Sequence, residues 1–229
     1  MICSETYYQH ELIGKTPDEV REKIEQLKMD IRHLKRKMEH PDYVCTTHPS
    51  DDTRLWSLRL YLKRAKRALR DLGGVYTPTE FEIRAMKFDA DIESISRVTL
   101  KMTYSPQEWC ENTVDISKDH LQFSMKNQLT PVPELFEFDM PLTKAEFLHD
   151  FTLLNIGEWR RTYNEKRYKV SFPGNTVWQL KIEYKNGNNP YKCRGNNAYP
   201  YNFKALASMF AIELPERIEE DEFEEVYYI

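Results

Sequence analysis

Two matched apolar seams near the front of the chain constrain its fold more than any other feature. After Thr16-Pro17-Asp18-Glu19, the residues Val20, Ile24, Leu27, Ile31, Leu34 and Met38 recur four and three apart. That spacing keeps one stripe of side chains on one side of an α-helix over several turns. Thr16 is placed to cap the helix, Pro17 suits its first turn, and Glu19 completes a capping box. Lys35, Arg36 and Lys37 sit in the last turns, where cations complement the helix dipole, and His40-Pro41 ends the run. The second seam, Leu55, Leu58, Leu62, Ala65 and Leu69, opens after Ser50-Asp51-Asp52 and closes at Gly73-Gly74. The seams match in length and only residues 41–49 join them. The pattern predicts helices over 17–40 and 50–72, packed as an antiparallel hairpin with Ile31 and Leu62 buried between them.

A third helix is signalled by Thr77-Pro78-Thr79-Glu80, with Phe81, Ala85, Phe88 and Ile92 on one face. After Ile95 the apolar period changes from about 3.6 to 2, the change from helix to strand. Val98, Leu100, Met102 and Tyr104 alternate with polar residues. Val114 and Ile116 suggest a second strand, Leu121, Phe123 and Met125 a third, and Leu135, Phe136 and Phe138 a fourth. Thr143-Lys144-Ala145-Glu146 is a further capping box, opening a helix with Phe147, Phe151 and Leu154 that stops near Gly157. Trp178, Leu180, Ile182 and Tyr184 share a strand face, and Asn186-Gly187 is the strongest two-residue hairpin signal in the chain, with Tyr191–Arg194 pairing back. Pro200 or Asn202 then starts a helix carrying Phe203, Leu206 and Phe210. The predicted class is α+β: an N-terminal antiparallel helical hairpin over 1–76, a connecting helix over 77–95, a small mainly antiparallel sheet with flanking helices over 96–212, and an acidic tail over 213–229.

Charge divides along the chain. Residues 1–74 hold 15 Lys and Arg against 12 Asp and Glu, whereas residues 213–229 hold eight acids and one base, Arg217. Such asymmetry points to a partner, or to one end of the chain covering the other. The four cysteines, Cys3, Cys45, Cys110 and Cys193, show no C-x-x-C pair and no disulfide-scaffold density, which predicts a reducing, cytoplasmic setting. No long apolar stretch follows Met1-Ile2-Cys3-Ser4-Glu5, so a signal peptide is not expected, and the run Ala205–Ile212 is too short to span a bilayer. With seven glycines and no G-x-G-x-x-G or Walker pattern, a glycine-built phosphate cradle is not expected either.

Residues 142–210 carry Trp159, then Trp178-Gln179-Leu180-Lys181-Ile182-Glu183-Tyr184, Gly187, and Gly195-Asn196-Asn197-Ala198-Tyr199-Pro200-Tyr201-Asn202-Phe203. This pattern resembles a family of uncharacterised bacterial proteins common in gut Firmicutes and their mobile elements. The hairpin with Thr16-Pro17-Asp18-Glu19 looks like a companion region in some members. The resemblance implies a mobile-element or phage context and carries no activity with it.

The second helix is the main functional lead. Arg54, Arg59, Lys63, Arg64, Lys66, Arg67 and Arg70 oppose one acid, Asp71, and all lie off the seam. Such a stripe can face outward and track phosphates or an acidic protein. Trp56 and Leu60, four apart on a non-seam face, either dock within the chain or anchor a partner, docking being the expectation. A second candidate is the turn Gly195, Asn196, Asn197 and Tyr199, which is either a packing turn or a pocket of backbone amides for an anion. Two enzymatic or metal readings stand beside these: Glu183 and Lys185 with Asp150 as a metal-dependent nuclease, and His40, Cys45 and His48 as a zinc clip. The reading the sequence favours has no catalytic residue, cofactor or metal. It is a non-catalytic binding protein of a mobile element, engaging a protein or nucleic acid through its basic hairpin. Its sharper form is an inhibitor of a host defence nuclease. The alternatives are a metal-dependent nuclease and a structural oligomer joined through the hairpin as a coiled coil.

Overall fold

The computed structural model describes residues 3–105, 107–117, 120–128, 134–169 and 175–214. Within them the chain is mixed helix and sheet, with six α-helices and seven strands in one mostly antiparallel sheet. Helices α2 (Pro17–Met38) and α3 (Asp51–Asp71) follow the two seams. Thr16 and Glu19 form the reciprocal capping box at the start of α2, and Ser50 caps α3 through the Thr53 N–H.

Apolar burial gathers at the two ends of the helix pair. Val20, Ile24 and Leu27 pack on Ala65, Ala68 and Leu69 at one end, and Leu34 and Met38 on Leu55 at the other. The two helices therefore run in opposite directions. Ile31 and Leu62, expected at the centre of a continuous seam, are only half-buried. The first end is closed by α1 (Ser4–Glu11), a short helix the sequence pattern does not signal. Its Tyr7 is buried and stacks on Tyr61 of α3 with ring centroids 4.4 Å apart.

Helix α4 (Glu80–Asp91) starts two residues later than the Thr77 signal. Thr77 and Glu80 have capping-box spacing as well, but the box that forms is Thr79 with Glu82, the Thr79 hydroxyl accepting from the Glu82 N–H and the Glu82 carboxylate accepting from the Thr79 N–H. Phe88 and Ile92 join the core of the sheet.

The strands are β1 (Ile95–Thr103), β2 (Trp109–Asp115), β3 (Gln122–Gln128), β4 (Glu134–Asp139), β5 (Thr162–Asn164), β6 (Val177–Tyr184) and β7 (Tyr191–Asn196). They lie in the order β4-β3-β2-β1-β6-β7-β5. All pairs are antiparallel except β5–β7, a three-residue parallel pairing too short to leave a period in the sequence. Val98, Leu100 and Met102 of β1 are fully buried, as are Trp178, Leu180 and Ile182 of β6. Phe147 and Phe151 of α5 (Lys144–Leu153) and Phe203 and Leu206 of α6 (Phe203–Met209) share that cluster, so these helices cover one face of the sheet. The other face is polar: the Thr99 and Thr113 hydroxyls meet at 3.1 Å and Arg97 pairs with Asp115 at 2.8 Å. The sheet is larger than the small one expected. The Asn186-Gly187 turn is also longer, since pairing resumes only at Tyr191, after Pro190, which has no N–H to contribute. Asn186 and Asn188 instead donate to Asp91 at the end of α4.

Of the acidic tail, only Glu213 and Leu214 lie within the described residues, and the Glu213 carbonyl accepts from the Tyr104 hydroxyl at 3.4 Å. The rest of the expected tail, 215–229, lies outside them. Among the described residues no helix is long and apolar enough to cross a membrane, and all four cysteines are free thiols.

Candidate interaction surface

The geometry of α3 sorts its cations into three flanks. On the flank facing the sheet, Arg59 donates to Glu158 at 2.6 Å and to the Tyr201 hydroxyl at 2.7 Å. Lys35 of α2 reaches the same Glu158 oxygen at 3.0 Å. Burial pushes the Glu158 carboxyl up, but Lys35 and Arg59 beside it pull it further down, so it is held below its ordinary value. One turn pair further along, Lys66 donates to Glu82 at 2.5 Å and lies 4.3 Å over the Tyr76 ring. Glu82 also accepts from the Tyr76 hydroxyl and from the Thr79 N–H. Burial raises its carboxyl, but these donors outweigh burial and set it at about 2. On the opposite flank Arg64 donates to Glu5 at 3.3 Å, its guanidinium 3.5 Å over the Tyr8 ring. At the start of the helix Arg54 pairs with the fully buried Asp51, which also accepts from Lys37, Tyr43 and Thr47.

Arg59, Arg64 and Lys66 therefore hold the helix to its neighbours, contrary to the expectation that every cation of the stripe faces outward. The sequence hides this because their partners, Glu158, Glu5 and Glu82, lie in other elements. The third flank keeps Lys63, Arg67 and Arg70, all exposed and with no ion pair among the described residues. Trp56 shares this face and is 62% exposed, with Leu60 half-buried beside it. The spacing of positions 56, 60, 63, 67 and 70 is the helical one that makes a single outward stripe. Trp56 thus does not dock within the described chain, which corrects the expectation for it.

The ion pairs joining helix pair and sheet give a direct prediction. Glu158→Gln leaves Lys35 and Arg59 facing a neutral amide in a half-buried site, and a loss of about 2 kcal/mol is expected in denaturant unfolding. Unchanged stability would show that the cluster contributes no net energy. The pH sign follows from Glu82, whose folded value of about 2 lies under its usual 4.5. Its contribution is present above the usual value and is lost as pH falls toward 2, so acid titration of Glu82→Gln is expected to show a flatter loss than wild type.

The Gly195 turn has a packing role. A Cβ on Gly195 would come within 2.5 Å of the Ala198 carbonyl oxygen and closer still to the Trp178 indole nitrogen. That indole donates to the same carbonyl at 2.8 Å. Asn197 takes a left-handed φ of 48° and donates to Glu165, while Tyr199 stacks on Trp178 and meets Phe203 in a tilted ring contact. Among the described residues the buried side-chain oxygen of Asn196 has no hydrogen-bond partner, and it is an acceptor unsuited to an anion. These contacts account for Gly195, Asn197 and Tyr199 without a ligand.

The remaining candidates do not converge. Among the described residues no group of three His, Cys, Asp or Glu is arranged to hold a metal ion. His40 packs edge-on against Tyr168, and the Cys45 thiol approaches the Thr47 carbonyl. Glu183 accepts from Lys181 on the polar face of the sheet, opposite the face covered by α5 and hence by Asp150. In comparisons with known proteins, no family model, no curated protein and no solved structure matches the chain.

Proposed function

We propose that this chain is a non-catalytic binding protein that takes a protein partner on the outward face of α3. The observation that carries the reading is the combination left there after internal pairing: Lys63, Arg67 and Arg70 beside a Trp56 that is 62% exposed. Tryptophan and arginine dominate the energetic centres of protein interfaces. The complementary surface is acidic with an apolar recess. A nucleic acid is the weaker reading, because three cations neutralise about three phosphates and support only a shallow salt dependence. An oligomer through the seams is disfavoured, since those apolar residues pack against each other within the chain. The sharper form, suggested by the resemblance to mobile-element proteins, is inhibition of a nucleic-acid-guided host nuclease.

Affinity capture of the tagged full-length chain from its native cell, read by mass spectrometry and nucleic-acid sequencing, tests the proposal. Trp56→Ala is expected to weaken capture of the protein partner by about 2 kcal/mol, roughly thirtyfold. Recovery of nucleic acid that falls with salt and ignores Trp56→Ala would replace the protein partner by nucleic acid. A recovered nuclease whose activity the chain suppresses would establish the sharper form.

A further inference from the structure

The sheet ends at β4, which pairs only with β3 among the described residues. All six of its residues are exposed, including Leu135, Phe136 and Phe138 at 58, 47 and 50%. Proteins guard such edges with charged side chains, proline or a bulge. β4 reads Glu134-Leu135-Phe136-Glu137-Phe138-Asp139 and its register with β3 is unbroken, so it has no proline and no bulge, and all its charges are negative.

The direction of its open backbone groups follows from the ladder. Met140, just past the strand, donates its N–H to the Leu121 carbonyl at 2.9 Å. By alternation, Glu134, Phe136 and Phe138 turn their N–H and C=O groups toward β3, and Leu135, Glu137 and Asp139 turn theirs outward. Side chains alternate as well. Phe136 and Phe138 stand opposite Met125 and Phe123 and continue the core face, with the Phe138 ring 5.0 Å from that of Phe123. Glu137 and Asp139 lie on the polar face.

We infer that the open edge of β4 accepts an extended segment of another protein as an added antiparallel strand. That segment carries apolar side chains on the Phe136–Phe138 face and lysine or arginine on the Glu137–Asp139 face. Main-chain hydrogen bonds supply the attachment and alternate side chains the selectivity. Charge decides the occupant. Two copies of β4 paired about their centres set Glu137 against its own image, a like-charge pair that destabilises the ladder. The chain's own 213–229, with eight acids to one base, brings like charge to the same edge. A strand of alternating apolar and basic residues satisfies both faces. His120 already lies 3.3 Å from Asp139, which leaves Glu137, with no ion pair among the described residues, as the carboxylate at the centre of the edge.

The test uses the full-length protein and a fluorescein-labelled octapeptide of alternating valine and lysine, with a second peptide methylated on alternate backbone nitrogens. The expected result is one-to-one binding of the first peptide and slowed amide exchange at Leu135, Glu137 and Asp139. Glu137→Pro removes an outward donor without touching the β3 ladder, so it is expected to keep the fold and weaken binding at least about tenfold. Glu137→Lys, which keeps the backbone donor, is expected to weaken binding through charge alone. No binding, or equal binding of the methylated peptide, would overturn the inference. A concentration-dependent dimer abolished by Glu137→Pro would assign the edge to a second copy. A gain in peptide affinity of about tenfold or more on removing residues 215–229 would assign it to the tail.

Discussion

Leu69→Asp is expected to unfold the helix pair, with a loss of about 4 kcal/mol or more and a melting temperature lowered by about 10 °C. Leu69 has no solvent exposure and sits among Val20, Ile24 and Ala65, none of which can solvate or pair a carboxylate. The charge must either leave the core, opening the end of the pair that α1 closes, or be neutralised by protonation, which costs free energy at neutral pH. Leu62→Asp is the internal control. Leu62 lies in the same seam but is half-buried, so its carboxylate reaches water and the loss is expected to be clearly smaller. Equal losses at the two positions would contradict the division of the seam into two end clusters, and so would an unchanged melting curve for Leu69→Asp.

Gly195→Ala is expected to cost about 3 kcal/mol, at the upper end for adding one methyl group to a packed core. The new Cβ meets the Trp178 indole and the Ala198 carbonyl, the two groups that hydrogen-bond each other. Neither is the end of a flexible side chain. Trp178 is fully buried and touches Trp159, Tyr163 and Phe203, so it cannot retreat without moving the aromatic centre of the sheet core. Near-ultraviolet circular dichroism, which reports that aromatic packing, is expected to weaken together with stability. A variant with wild-type stability and spectrum would show that the turn relaxes easily, and would return the segment to candidacy as a ligand site.

The sequence was legible where the physics is local. Spacing of four and three along Val20–Met38 can be satisfied only by a helix with one apolar side, and alternation along Val98–Met102 only by a strand with one. The capping boxes at Thr16 and Thr143 work within three residues. Legibility failed where the deciding partner is distant. Arg59 and Glu158 are 99 positions apart, and nothing in the basic stripe indicates that this arginine points inward. Arg64 and Lys66 meet Glu5 and Glu82 in the same way. Trp56 was expected to dock because an aromatic residue near an apolar neighbour usually finds cover, yet the face it occupies points away from both α1 and the sheet. Two elements were too short to leave a period: α1 and β5. The edge position of β4 is a property of sheet order, which alternation along a single strand does not encode.

Two triple charge reversals studied side by side test whether α3 divides its cations between fold and partner. Thermal melting and partner capture are measured on Lys63→Glu, Arg67→Glu, Arg70→Glu combined, and on Arg59→Glu, Arg64→Glu, Lys66→Glu combined. The outward triple is expected to melt within about 2 °C of wild type, because solvated charges contribute little to stability, and to lose the partner. The inward triple sets glutamates against Glu158, Glu5 and Glu82 and is expected to melt about 10 °C lower or not to fold. An outward triple that destabilises the chain as much as the inward one, or that captures the partner as well as wild type does, would contradict the account.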